Sequence, residues 1–298
     1  MSKSTLEKKN ICGVVVTYHP DDGLEGRIDV LSGQVDHIVI VDNHTSAEKI
    51  RVLDGMAERK NVHLIRNARN LGVATALNEG MAWARQNGYA WAFLFDQDSV
   101  LEEGALDTLI DVFEDYGEAD APAVLGCNYR DVNACIVHYP DESASGISWR
   151  ERKTVITSGS LVSIDVYNRI GPFRDAFFID HVDDEYCLRA RRRGYKVIAT
   201  CKPVMLHSVG ATTKHRLLWK RPGTTNHPAF RRYYMTRNHI ILIKEYFATE
   251  PRWVYDTVHS RMKSLVLMCL FEKQRPAKIR NVLKGFFHGV FRSAQERV

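Results

Sequence analysis

The sequence has no Cys-x-x-Cys pair. Its six cysteines (12, 127, 135, 187, 201 and 269) are scattered, which argues against a zinc module and for reduced core thiols. No apolar run reaches the roughly 18–20 residues that a membrane-spanning helix needs; Leu265 to Phe271 is seven residues long. The stretch Met1 to Asn10 is polar and Lys-rich with no apolar core, so no signal peptide is expected. Acidic residues are scarce in one place only. Residues 202–298 hold 19 Lys/Arg against 5 Asp/Glu, whereas residues 1–201 hold 22 against 31. That asymmetry points the C-terminal third toward an anionic partner: phosphates, a membrane surface or nucleic acid. Near the first apolar run there is no Gly-rich, basic phosphate loop; His19-Pro20-Asp21-Asp22 is acidic instead. This disfavours a nucleotidyltransferase.

What is present is ordinary for a globular chain of 298 residues, 45% apolar and 26% charged. Ile11 to Thr17, His37 to Val41, Val62 to Arg66 and Trp91 to Phe95 are continuous apolar runs, the pattern of strands covered on both faces. Helical patterns separate them, from just after the His19–Gly23 loop to about Gly33, from Glu48 to Arg59 and from Val73 to Gln86. Strand–helix alternation predicts a mostly parallel α/β sheet whose ligands bind beyond the strands' carboxyl ends. Tyr18, Asp42, Arg66 and Asp96 fall at such ends. Downstream, Leu106 to Tyr116 reads as a helix and Ala123 to Asn128 as a strand. Residues 129–153 read as a surface loop or hairpin, and Thr154 to Ile164 as a strand broken at Ser158-Gly159-Ser160. Asp165 to Ile170 begins another helix, and Tyr195 to Ala199 and Val204 to His207 read as two strands. Phe230 to Phe247, Trp253 to Phe271 and Val282 to Phe291 read as basic, aromatic-rich helices, suited either to capping the α/β body or to lying in a membrane interface.

Chemistry concentrates at Phe95-Asp96-Gln97-Asp98-Ser99. In extended chain, residues i and i+2 point the same way, so Asp96 and Asp98 converge on one point, as a hard divalent cation requires. A second acidic cluster, Asp180, Asp183, Asp184 and Glu185, precedes an Arg-rich helix. His207 ends a strand.

In order, Thr17-Tyr18, Asp42-Asn43, Asn67-x-x-Asn70-x-Gly72 with Asn78, Asp96-x-Asp98, the Asp183 cluster and His207 resemble the family 2 glycosyltransferases, over about residues 11–240. The resemblance implies a GT-A fold, Rossmann-like with a mostly parallel sheet, ending in a helical C-terminal region. A GT-A domain would occupy residues 1–225, with a nucleotide-sugar half at 1–100 and an acceptor half at 101–225; helices would fill 226–298. Phe178-Ile179-Asp180-His181-Val182-Asp183 looks most like the bacterial rhamnosyltransferases, which use dTDP-L-rhamnose in polysaccharide assembly.

Carried over, the resemblance gives Thr17, Tyr18, Asp42, Asn70, Gly72, Asn78 and Asp96 to the nucleotide sugar. It gives Asp98, Asp96 and His207 to Mg²⁺ or Mn²⁺, and Ser158 and Gly159 to the acceptor side. Asp183 is read as the base of an inverting transfer, with Asp180, Asp184 and Glu185 as supporting acids. Val182 stands where the wider family has a Glu. Lys214, Arg216, Lys220 and Arg221 are read as a loop closing over the diphosphate. The implied acceptor is a growing, lipid-linked glycan. The enzyme would be cytoplasmic, with peripheral contact to the inner face of the plasma membrane through the basic helices, and a homo-oligomer is compatible with it. A UDP-sugar donor such as UDP-GlcNAc or UDP-galactose remains the nearest alternative. A nucleic-acid binder is disfavoured by the acidic constellation.

Overall fold

The computed structural model describes residues 6–117, 121–132, 136–207, 213–215 and 222–291. β1 (Ile11–Thr17), β2 (His37–Asp42), β3 (Val62–Arg66) and β4 (Trp91–Asp96) run parallel in the order β3-β2-β1-β4. α1 (Leu24–Ser32), α2 (Ile50–Ala57) and α3 (Val73–Gln86) connect them. Every residue of β1 is buried. Its alternation sends Val14 and Val16 into a core beneath α3, and Val15 into a second core with α1.

The second half adds β5 (Val100–Leu101), α4 (Ala105–Tyr116), β6 (Val124–Asp131), β7 (Ile136–Val137), β8 (Trp149–Glu151), β9 (Ser160–Ser163), α5 (Ile164–Ile170), α6 (Val182–Arg192) and β10 (Val197–His207). β9 lies between β4 and β6 and runs antiparallel to both, which makes the sheet mixed, while β10 runs parallel to β6. Three boundaries differ from expectation. The strand predicted over Thr154 to Ile164 is reduced to Ser160–Ser163, because Gly159 takes a left-handed turn at φ +74°. The two strands predicted at 195–199 and 204–207 are one, β10, whose register shifts around Pro203, a residue with no N–H to donate. Within 129–153, β7 pairs antiparallel with β6 as the hairpin reading expects, while β8, which pairs with β10, is a strand not expected there.

Three helices close the chain: α7 (Ala229–Tyr246), α8 (Pro251–Phe271) and α9 (Arg275–Phe291). α9 begins seven residues before the predicted Val282, since Pro276 is tolerated in a first helical turn. It lies close along α7. A Cβ on Gly285 would stand 2.5 Å from the Tyr233 carbonyl oxygen, and one on Gly289 2.7 Å from Ile240 Cβ. Among the described residues no helix is long and apolar enough to cross a membrane. A small ribbon pairs β11 (Thr213–Lys214) with β12 (Gly223–Thr224). Lys214 is exposed there; Arg216, Lys220 and Arg221 lie outside the described residues.

Candidate active site

A cleft of about 980 Å³ opens beyond the carboxyl ends of β1 and β4. Its floor begins where two strand ends are stitched together. Tyr18 N–H donates to Gln97 Oε1 (2.7 Å), and Gln97 Nε2 donates back to the Tyr18 carbonyl (3.2 Å). The Tyr18 ring is left half exposed over the cleft.

Asp96, Asp98 and His207 converge, with one ligand atom from each lying within 4.8 Å of the others. The register explains how residues so far apart in sequence meet. Leu206 of β10 stands opposite Val100 of β5, so the next residue, His207, falls beside Ser99. Ser99 Oγ and His207 Nδ1 are 2.9 Å apart, Ser158 Oγ donates to Ser99 Oγ (2.7 Å), and Asp96 N–H donates to Ser158 Oγ (3.0 Å). This chain ties the histidine to the backbone of the first aspartate. Burial, with the nearby Asp98 charge, raises the Asp96 pKa, against the easing influence of His207 and Arg231. Two carboxylates and an imidazole, one carboxyl strained toward its protonated form by its neighbour, are a donor set that fits a divalent cation such as Mn²⁺ or Mg²⁺.

Across the cleft, residues 177–181 form a tight loop leading into α6. Phe178, Asp180 and His181 all have positive φ (57°, 66° and 61°), a conformation that costs about 1–3 kcal/mol per non-glycine residue. α7 holds it in place. The buried Asn238 Nδ2 donates to the carbonyls of Phe177, Ile179 and Asp180 at 2.9, 3.0 and 2.8 Å. Arg237 Nη2 donates to the Ala176 carbonyl. The loop and the first turn of α6 then distribute four acids differently. Asp180 is gripped by Arg231 (Nε–Oδ2 2.9 Å, Nη2–Oδ1 3.0 Å). Asp184 Oδ2 lies 2.8 Å from His181 Nδ1, and Arg261 Nη2 donates to His181 Nε2 (2.9 Å). That arrangement assigns the Nδ1–H to Asp184. Burial pushes Asp184 up, but His181 outweighs it, and its carboxyl lies below the ordinary range. Glu185 is fully buried and held by Arg189 and Arg174, away from the cleft lining. Asp183 lines the cleft, accepts the Asp184 N–H at 2.9 Å, and makes no ion pair among the described residues. Burial first, then the charges of Asp184 and Asp96, raise its pKa well above the usual carboxylate value.

Residues 13–160 match the pattern of "Glycosyl transferase family 2". The chain carries a family 2 glycosyltransferase domain and is a glycosyltransferase. Over 249 residues it is 29% identical to "dTDP-rhamnosyl transferase RfbF" of Shigella flexneri, covering 79% of this chain and 80% of that one. Its fold is similar to that of S. aureus TarS 1-349 in complex with UDP-GlcNAc (TM-score 0.63, 14% identity, 94% of this chain and 81% of that one). It is also similar to the mannosyltransferase PcManGT from Pyrobaculum calidifontis in complex with GDP-Man and Mn²⁺ (TM-score 0.57, 13% identity, 98% and 89%). The architecture is therefore GT-A, with a helical C-terminal region.

In this glycosyltransferase the predicted site residues divide. Thr17, Tyr18, Asn70, Gly72, Asp96, Asp98, Asp180, Asp183, Asp184 and His207 all line the cleft. Asp42 lies just behind it, engaged by the Thr17 hydroxyl (3.0 Å) and by the N–H (2.9 Å) and hydroxyl of Thr45. Its neighbour Asn43 reaches the cleft and donates to the Gly72 carbonyl (3.0 Å). Asn78 lies off the cleft. Its amide bridges Phe173, Asp175 and Tyr167 at 2.8–2.9 Å, locking α3 to the segment before the acidic loop. Ser158 and Gly159 also lie behind the wall, the serine in the Asp96–Ser99 chain and the glycine against Met205. Ile156 and Thr157 line the cleft in their place. Sequence reading missed the far wall, which α7 and α8 supply through Arg231, His239, Thr257, Arg261 and Ser264. The only trace in the sequence is the helical spacing of the polar residues 257, 261 and 264, which other polar residues of the same helix obscure. His239 stacks on His181 (centroids 5.3 Å apart), and burial, with His181 and the Arg261 cation nearby, lowers its pKa to about 3.

Gly72 is the tightest point between the two halves. It has φ +88°, and a Cβ there would stand 2.6 Å from both the Phe178 carbonyl oxygen and ring. Gly72→Ala is therefore expected to destabilise the fold by roughly 2 kcal/mol or more and to displace the acidic loop. Thermal melting with and without nucleotide would show a lowered midpoint and a smaller ligand-induced rise.

Proposed function

We propose that this glycosyltransferase moves L-rhamnose from dTDP-L-rhamnose, with inversion, onto a growing lipid-linked polysaccharide. The observation carrying the reading is that Asp183 lines the same cleft as the Asp96–Asp98–His207 group, in a chain 29% identical to a dTDP-rhamnosyl transferase. Tyr18 would lie against the base or ribose, with Asn43, Asn70 and Gly72 shaping the turn beside it. Asp96, Asp98 and His207 would hold Mg²⁺ or Mn²⁺, which when bound neutralises the donor's diphosphate. Asp183 takes the proton of the acceptor hydroxyl as that oxygen attacks the anomeric carbon. The bond from that carbon to the diphosphate breaks, and the configuration inverts from β to α. Arg231, beside Asp180 and within the electrostatic reach of Asp96 and Asp98, adds a cation facing the departing diphosphate.

Thermal-shift titration with dTDP, UDP and ADP, each with and without Mn²⁺, tests the reading. A ligand that binds only the native state raises the midpoint as its concentration exceeds Kd. The expected result is a Mn²⁺-dependent rise favouring dTDP and lost in Asp98→Asn. A preference for UDP would move the donor to a UDP-sugar, and no rise with any nucleotide would refute the site.

A further inference from the structure

α8 buries Trp253, Val254 and Met268 yet leaves other large apolar side chains in solvent. Thr257, Arg261 and Ser264 face inward to the cleft. On the opposite side Tyr255, Met262, Val266 and Leu270 recur at intervals of four to seven residues, each more than half exposed. Their spacing places them on one face of the helix. α9 repeats the pattern. Its buried side is Lys278, Gly285 and Gly289 against α7, and its outward side carries Ile279, Leu283, Phe286, Phe287 and Phe291, the last 77% exposed. Large apolar side chains concentrated on the outer faces of two helices joined by one short turn are the kind of surface that marks an interaction site.

The charges around these stripes select the occupant. Arg252, Lys263 (which also reaches the cleft edge), Lys273, Arg275, Arg280 and Lys284 belong to the same two helices or the turn between them, against one exposed acid, Asp256 of α8. The one acid of that turn, Glu272, is buried and already paired with Arg232 and Lys278. A second copy of the chain meeting this face about a two-fold axis would bring like charges together. An anionic lipid surface meets both features at once, since apolar side chains enter the headgroup boundary while Lys and Arg contact phosphates.

We infer that the outer face of α8 and α9 docks on an anionic phospholipid surface. The inference rests on the glycosyltransferase reading only for its consequence: because the inner face of α8 is a wall of the cleft, docking holds the acceptor side of the site at the membrane. A lipid-linked acceptor then reaches Asp183 along the surface. No helix need cross the bilayer.

The test is co-sedimentation of the full chain with vesicles of phosphatidylglycerol and phosphatidylcholine, or of phosphatidylcholine alone. The wild type is expected to pellet with the anionic vesicles and to be released by salt. Val266→Glu with Leu270→Glu, and separately Phe287→Glu, should each weaken binding about tenfold or more, because a charge is placed in the apolar face. These positions are exposed, so the Mn²⁺-dependent rise with dTDP should be unchanged; that readout separates failure of docking from failure of the active-site reading. No binding to anionic vesicles would overturn the inference, as would equal binding to neutral ones. A dimer in solution that Val266→Glu splits, in a protein that does not pellet, would assign the face to self-association instead.

Discussion

Asp183→Asn is expected to lower turnover by about 10²–10⁴-fold, the usual contribution of a positioned general base, while Mn²⁺-dependent nucleotide binding persists. The four acids of this segment are not equivalent. Glu185 is buried between two arginines, Asp180 is held by both arms of the Arg231 fork, and Asp184 is held by His181. A carboxylate fixed by a cation or by a strong donated hydrogen bond is a poor proton acceptor, because protonation would forfeit that interaction. Asp183 has only a backbone N–H on Oδ1 and neighbours of its own sign. Burial first, and then those neighbours, make it a stronger base than a free aspartate. Asp180→Asn and Asp184→Asn should act more weakly, through the loop they brace. Single-turnover kinetics beside a nucleotide titration would separate these roles; equal losses in all three variants would refute Asp183 as the base.

The same environment fixes the sign of two pH effects. Since the Asp183 carboxyl is raised in the folded chain, the acid limb of kcat/KM should lie above the ordinary aspartate value of about 3.9. For stability, a carboxyl raised on folding stabilises the folded state below its unfolded pKa, and that contribution is lost as pH rises through the folded value. Asp183→Asn in the metal-free protein should therefore melt no lower than wild type at neutral pH. The two should differ least in acid. A variant that is inactive yet no less stable is the signature of a functional group placed against its own electrostatics.

Much of this was legible in the sequence because the signals are local. β1 and β4 are unbroken apolar runs, and Asp96 and Asp98 follow directly on the second, Asp98 being brought round by the turn after β4 rather than by extended chain. Contacts across long separations left no comparable trace. Asn78 sits on an amphipathic helix in a motif-like position, yet its four hydrogen bonds go to residues 167–175, and no periodicity announces that. His207 reaches Ser99 through β5, a strand of two residues, too short to show any pattern. The inward polar face of α8 could not be placed from the sequence, because amphipathicity reports that two faces differ, not which one is covered.

Glu272→Ala is expected to cost about 3–5 kcal/mol, the penalty for breaking a buried ion pair from one side. Glu272 is 1% exposed and joins all three C-terminal helices' ends: Arg232 of α7 donates to Oε1 (2.6 Å) and Lys278 of α9 to Oε2 (2.7 Å). Removing the carboxylate leaves two buried cations facing each other, and Arg232 Nε already has no partner. Glu272 also accepts the Asn226 N–H (3.2 Å), so its loss releases the segment carrying Thr225 and His227 at the cleft edge. Burial pushes the Glu272 carboxyl up, but Lys278 and Arg232 outweigh it, and its pKa lies below the ordinary value. A depressed carboxyl contributes stability above its unfolded pKa that is lost as pH falls through the folded one. The deficit of Glu272→Ala should accordingly narrow in acid. Replacing Arg232, Glu272 and Lys278 together by Met, Leu and Met should recover most of the loss, because no charge is then stranded. Urea melts of the single and triple variants at pH 7 and pH 4 would check this. A single-variant loss below about 1 kcal/mol would place the three charges in water rather than in a buried joint.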